Sequence, residues 1–136
     1  LNSILGIAGN WIGLNDLSLQ LILGYIFFPI VWLMGLPTSE ALVGAELLGL
    51  KTALNEFVAY GALANIEPDL LSDKSKLIIL YGLCGFANFS SVGILVTGIS
   101  AMAPERKNDL IKVSLKALIG ATLASCMTGL VIGLLI

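Results

Sequence analysis

The sequence predicts an all-α, polytopic membrane protein, and three observations carry that prediction. Hydrophobic residues fill 57% of the 136 positions and charged residues only 12%, against about 25% charged in an ordinary soluble domain. Mean hydropathy is +0.99, which excludes intrinsic disorder. The apolar residues also fall in long runs divided by short polar segments, the pattern of helices that cross a bilayer. With a net charge of −2 and only seven basic residues, the chain lacks the cationic surface that a nucleic-acid partner requires. Histidine is absent, and Cys84 and Cys126 lie far apart in apolar runs. A zinc or other metal site, a Ser-His-Asp triad and a disulfide framework are therefore poorly supported, and no enzyme is expected.

Leu1 to Leu14 form an apolar tail with Trp11 near its end, where an amphipathic ring suits the membrane interface. Residues 1–16 thus read as the end of a preceding transmembrane helix. No initiator Met and no basic n-region stand before this tail, so no signal peptide is predicted and the chain reads as a fragment lacking its N-terminal part. Asn15 and Asp16 can cap the start of the next helix. Leu17 to Gly35 carries no charge and is long enough for about one crossing at ~1.5 Å rise per residue. Pro29 would kink such a helix, whereas Tyr25 and Trp32 could anchor it flat at the interface. Hydropathy does not choose between the two placements.

Gly35-Leu36-Pro37-Thr38-Ser39 reads as a turn followed by an N-cap, and a helical stretch then runs from Glu40 to Ile66 with Glu46, Lys51 and Glu56 inside it. A charge at the centre of a membrane helix costs roughly 2.5–3.5 kcal/mol on insertion scales, so three in one plain span are improbable. The alternative is a re-entrant hairpin: one short helix ends near Ala53-Leu54, and a second begins with Asn55 as its N-cap. Glu56 then occupies the first turn of a half-helix, where the dipole favours an anion.

Asn65 to Lys76 is a loop containing Pro68, with Glu67, Asp69 and Asp73 against Lys74 and Lys76, and Ser72 is a fair N-cap for the helix after it. Leu77 to Met102 is hydrophobic, but its middle holds Gly82, Gly85, Gly93, Asn88, Ser90 and Ser91, poor material for a uniform helix and good material for a broken one. The 103–116 loop carries Arg106, Lys107, Lys112 and Lys116 against Glu105 and Asp109. The positive-inside rule makes it cytoplasmic, with loop 66–73 and the C-terminus outside. The final element, 108–136, is the cleanest transmembrane helix. Ala117, Ala121, Ser125, Gly129 and Gly133 recur along it at every fourth position, a seam that lets another helix approach closely. Such spacings also arise readily in any Gly- and Ala-rich apolar segment.

Two polar clusters interrupt apolar surroundings: KTALNEFVAY at Lys51–Tyr60 and CGFANFSS at Cys84–Ser91. Asn88 and Ser91 could simply bond neighbouring backbone, and Lys51 could snorkel or pair with a nearby carboxylate. Glu56 is harder to explain that way, because an isolated ionised carboxylate at membrane depth usually marks a ligand, ion or proton path. Phe86 and Phe89 are packing residues at the simplest, though either ring could stack on a planar ligand.

NEFVAY, with CGFANFSS further along and then a basic loop and a last helix, resembles the concentrative nucleoside transporter family over essentially the whole chain. Val92 stands where Ile is more usual in that family, a mild departure. The resemblance implies the C-terminal inverted-repeat half of such a transporter. Residues 37–136 would be a transport-domain repeat made of a re-entrant helical hairpin (38–66), a discontinuous transmembrane helix (73–103) and a final transmembrane helix (108–136). Residues 17–36 would be an interfacial extracellular helix. The ribose-binding carboxylate falls on Glu56, and the ribose-contacting amide and hydroxyl on Asn88 and Ser91. Phe86 would line the pocket, with Asn55, Lys51 and Ser90 as supporting polar residues.

The function so implied is cation-coupled nucleoside symport by alternating access in a multi-pass plasma (inner) membrane protein. No cofactor is expected. The coupling cation, sodium or proton, would bind mainly outside these residues. The expected partners are a nucleoside, that cation, membrane lipid, the N-terminal half of the same chain and, by the resemblance, two further copies in a homotrimer. The competing reading is a non-transporting membrane subunit whose polar residues serve only helix packing and assembly; an intramembrane enzyme is a distant third.

Overall fold

The computed structural model describes residues 18–136; residues 1–16, expected to end a preceding helix, lie outside the described residues. Among the described residues six α-helices occur in order: α1 (Leu19–Leu33), α2 (Thr38–Ala53), α3 (Glu56–Ala64), α4 (Asp73–Leu83), α5 (Phe89–Met102) and α6 (Lys107–Leu135), with 3₁₀ turns at Pro68–Leu70 and Pro104–Arg106. Among the described residues there is no strand.

Ser18, rather than Asn15 or Asp16, caps α1, its hydroxyl oxygen accepting from the Leu21 N–H at 3.2 Å. The helix runs through Pro29 and ends in a Schellman turn, with Leu36 N–H on Val31 O (3.5 Å) and Gly35 N–H on Trp32 O (3.0 Å). Gly35 takes φ +104 there, a conformation that costs glycine nothing. The N-cap of α2 is Pro37, with no side-chain bond, and the helix already includes Thr38 and Ser39. The fixed φ of Pro37 (−57) is what sets the entry, so a hydroxyl cap is not needed.

α1 returns antiparallel along α2 at backbone distance. A Cβ on Gly24 would lie 2.8 Å from Glu46 Cγ, and one on Gly49 would lie 2.5 Å from Leu23 Cβ. At the other end of α2, Glu40 Oε2 accepts from both the N–H (3.1 Å) and the hydroxyl (3.0 Å) of Ser72. Ser72 in turn caps α4 through the Ser75 N–H. Val31, Leu36, Leu48, Ile78, Ile79 and Leu83 are fully buried where α1, α2 and α4 meet.

α6 has 29 residues, or about 44 Å at ~1.5 Å per residue. With the preceding turn it forms the one described segment, Pro104–Leu135, long and apolar enough to cross a membrane. Its small-residue seam packs only in part. Ser125 and Gly129 are buried and Gly133 is half-buried against α4 and Met34. Ala117 and Ala121 are exposed, and Leu118 and Thr122 are buried instead. The reason is a change of neighbour: α6 meets α4 along its C-terminal half and α5 along its N-terminal half, so the contact stripe shifts around the helix.

Candidate functional site

The two sequence clusters come together because two helices start at the same place. α2 stops at Ala53, and Leu54 leaves the helical region at φ −111, ψ −90. Asn55 is extended, and its Oδ1 accepts from the Val58 N–H at 2.9 Å, so α3 begins with Glu56 in its first turn. α4 likewise stops at Leu83, and the chain stays irregular to Asn88. Asn88 is also extended; its Oδ1 accepts from the Ser91 N–H at 2.7 Å and from the Ser91 hydroxyl at 2.9 Å. That fixes the direction of the amide, and Asn88 Nδ2 donates to Glu56 Oε2 at 2.8 Å. Ser90 adds a second tie by donating its hydroxyl to Leu54 O at 3.1 Å.

Burial grades the site. Asn88 is 1% exposed, whereas the Phe86 ring is 77% exposed; Glu56, Asn55 and Ser91 are half-buried and Ser90 is exposed. Phe86, Asn88 and Ser91 line a groove of about 210 Å³ between α5 and α6, together with Leu95, Ala117 and Ala121. Glu56 does not line it and meets it through Asn88.

Lys51 neither snorkels nor joins a carboxylate. It is wholly buried, and its Nζ donates to Gly82 O at 3.4 Å, at the carbonyl end of α4, where the helix dipole favours a cation. The ion pairs among the described residues are Lys76–Asp73 and Arg106–Asp109, both at the surface. Tyr60, which sequence reasoning does not single out, donates its hydroxyl to Leu80 O at 3.2 Å. Its position four residues after Glu56, one turn along the same face, is the available signal. Among the described residues no group of three His, Cys, Asp or Glu is arranged to hold a metal ion.

The family model described as "Na+ dependent nucleoside transporter C-terminus" matches residues 1–133. The chain belongs to the concentrative nucleoside transporter family. Members of that family are membrane transporters, not enzymes. The chain is 38% identical to sodium/nucleoside cotransporter 1 of Mus musculus, over 99% of its own length and 23% of the relative's. To nucleoside permease NupC of Helicobacter pylori it is 41% identical, covering 90% and 30%. Among solved structures, the transporter CNTnw in an inward-facing substrate-bound state superposes with a TM-score of 0.88 at 43% identity, over 98% of this chain and 33% of that one. An intermediate state of a CNTnw variant gives 0.92 at 43%, over 99% and 34%. The chain spans about a third, or less, of the length of the relatives it matches.

Within this family member, the hydrogen-bond inventory limits what the site can recognise. Both acceptor directions of Asn88 Oδ1 are used in capping and one amide hydrogen is on Glu56, which leaves one buried N–H without a partner among the described residues. Glu56 keeps Oε1 as an acceptor. Ser91 spends its hydroxyl hydrogen on Asn88 and keeps lone pairs. The site therefore offers acceptor, donor and acceptor side by side, with an exposed aromatic ring at its edge.

Proposed function

We propose that this chain supplies the ribose-binding side of a cation-coupled nucleoside symporter that works by alternating access. The observation that carries the reading is the 2.8 Å bond between Asn88 and Glu56, which joins two helix starts into one polar site inside apolar surroundings. A vicinal diol complements it. One sugar hydroxyl donates to Glu56 Oε1 while accepting from Asn88 Nδ2, and its neighbour donates to Ser91 Oγ. The exposed Phe86 ring offers the base a flat face that tolerates several heterocycles. Asn55 and Ser90 support the site by setting the start of α3 and tying α5 to Leu54.

In the membrane, α2 and α3 form the re-entrant hairpin, α4 and α5 the discontinuous helix, and α6 the last span, with residues 17–36 leading in from the extracellular side. Interrupted helices of this kind carry substrate and ion sites in repeat transporters. The other wall of the groove and the coupling cation, sodium or proton, belong mainly to the N-terminal half of the same polypeptide, and the assembly is a homotrimer. Calorimetric binding of uridine and its deoxy analogues to the complete transporter tests the reading. Glu56→Gln and Asn88→Ala should each weaken binding, and the loss should be smaller for a ligand lacking the contacted hydroxyl. Wild-type affinity in both folded variants would leave the packing-subunit reading as the better one.

A further inference from the structure

A helix that stops leaves its last four carbonyls without intrahelical partners. In α4 three of them are closed: Leu80 O by the Tyr60 hydroxyl at 3.2 Å, Tyr81 O by the Cys84 N–H at 3.2 Å, and Gly82 O by the Lys51 ammonium at 3.4 Å. Two of the three donors are hairpin side chains, and they come from opposite sides of the hairpin's own break, Lys51 from α2 and Tyr60 from α3. A neutral side chain would cap a carbonyl at lower cost than a wholly buried ammonium, whose removal from water is expensive. What Lys51 adds, through a long 3.4 Å contact, is a donor from α2 placed at the negative pole of α4. Across the break, Asn88, the N-cap of α5, and Ser90 within it hold Glu56 and Leu54. The hairpin is thus fastened to both halves of the interrupted helix, and the Glu56–Asn88 spacing depends on both fastenings. Tyr60 acts most directly, because it sits one helical turn from Glu56 and sets the rotation of α3 about its axis.

We propose that Lys51 and Tyr60 are positioning residues: by closing the carbonyl end of α4 they hold Glu56 at hydrogen-bonding distance from Asn88, and so fix the acceptor–donor spacing that reads a ribose diol. Neither side chain lines the groove. The proposal rests on the ribose reading of Glu56 and Asn88.

The test uses the complete transporter and compares wild type, Lys51→Met, Tyr60→Phe and Glu56→Gln. Affinity for uridine and for 3′-deoxyuridine is measured by calorimetry, and melting temperature is followed in parallel. Lys51→Met keeps the chain length and removes the charge; Tyr60→Phe removes one hydroxyl. Each should weaken uridine binding by about tenfold, or ~1.4 kcal/mol, and 3′-deoxyuridine binding by less, so that the preference for the ribonucleoside shrinks. A merely structural role would lower the melting temperature and leave that preference at its wild-type value, which overturns the proposal. Should Lys51→Met fail to fold, Tyr60→Phe decides by the same criterion. Glu56→Gln separates the two levels of inference. A preference unchanged in Glu56→Gln sinks the ribose reading itself, whereas one lost in Glu56→Gln but kept in the other variants sinks only the positioning role.

Discussion

Asn88 and Glu56, 32 residues apart in the chain, satisfy each other through a 2.8 Å bond between amide nitrogen and carboxylate oxygen. Each also opens a helix, Glu56 as the first residue of α3 and Asn88 as the N-cap of α5. One contact therefore links the geometry of both breaks to the groups that would meet a substrate.

Glu56→Gln keeps the shape of that contact and loses the ionised acceptor. A hydrogen bond to a charged group is worth about 1.5–3 kcal/mol, so nucleoside affinity should fall by roughly ten- to a hundredfold. Because the two side chains are bonded, the Glu56→Gln/Asn88→Ala double variant should lose less than the sum of the single losses. A calorimetric double-mutant cycle measures this; strict additivity would mean that the residues act separately.

Capping and binding by Asn88 can be separated. Ser caps a helix about as well as Asn, and loss of the cap costs about 0.5–2 kcal/mol, but a serine side chain is too short to reach Glu56. Asn88→Ser should melt close to wild type and still lose nucleoside affinity as Asn88→Ala does. Asn88→Ala should lose both. Thermal melts alongside titrations distinguish the three proteins.

In α6, Gly129 and Gly120 are opposites. A Cβ on Gly129 would sit 2.6 Å from Ile78 O and 3.2 Å from Gly82 N, while nothing lies within 4 Å of one on Gly120. Gly129→Ala should destabilise by roughly 1–3 kcal/mol through forced separation of α4 from α6. Gly120→Ala should be neutral or slightly stabilising. Melting temperatures in detergent check the pair, and equal values for the two variants would contradict this packing.

Asp69 and Asn108 are both exposed and lie near opposite ends of α6. Lys74 Nζ reaches Ile136 O at 2.8 Å, bringing the Pro68 loop to the far end of α6 from Arg106. Single cysteines at Asp69 and Asn108, in a background lacking Cys84 and Cys126, should react with an impermeant reagent on intact cells at 69 only. Labelling at 108 and not at 69 would reverse the orientation.

The legible parts of the fold and the site are those written in local chemistry. Asn55 and Ser72 announce helix starts because their side chains bond the backbone three residues on, and glycines at 82 and 85 mark a stretch where a helix is hard to sustain; Asn88 makes the same bond, but the sequence reading marks only the break there and not the cap. The fate of Lys51 is not legible, since its partner is a backbone carbonyl 31 residues away and carbonyls carry no letter in the sequence. The partner of Tyr60, Leu80 O, is hidden for the same reason. The seam of α6 is half right because periodicity names a face but not the residue at which the neighbour changes from α4 to α5. At the start of α2, looking for a hydroxyl cap misses that Pro37 alone can set the entry.

The glycine contact between α1 and α2 bears on how force enters this part of the protein. With Leu23 against Gly49 and Gly24 against Glu46, the N-terminal half of α1 lies against the C-terminal half of α2, the half that ends at the hairpin's break. No layer of side chains lies between the backbones at Gly49 to slide or repack. A displacement of the N-terminal half of α1 is therefore passed to α2 across this contact, instead of being relayed around the Gly35 bend and down the length of α2. The two helices form a single strut, so that a shift of α1 moves the end of α2 from which Lys51 projects.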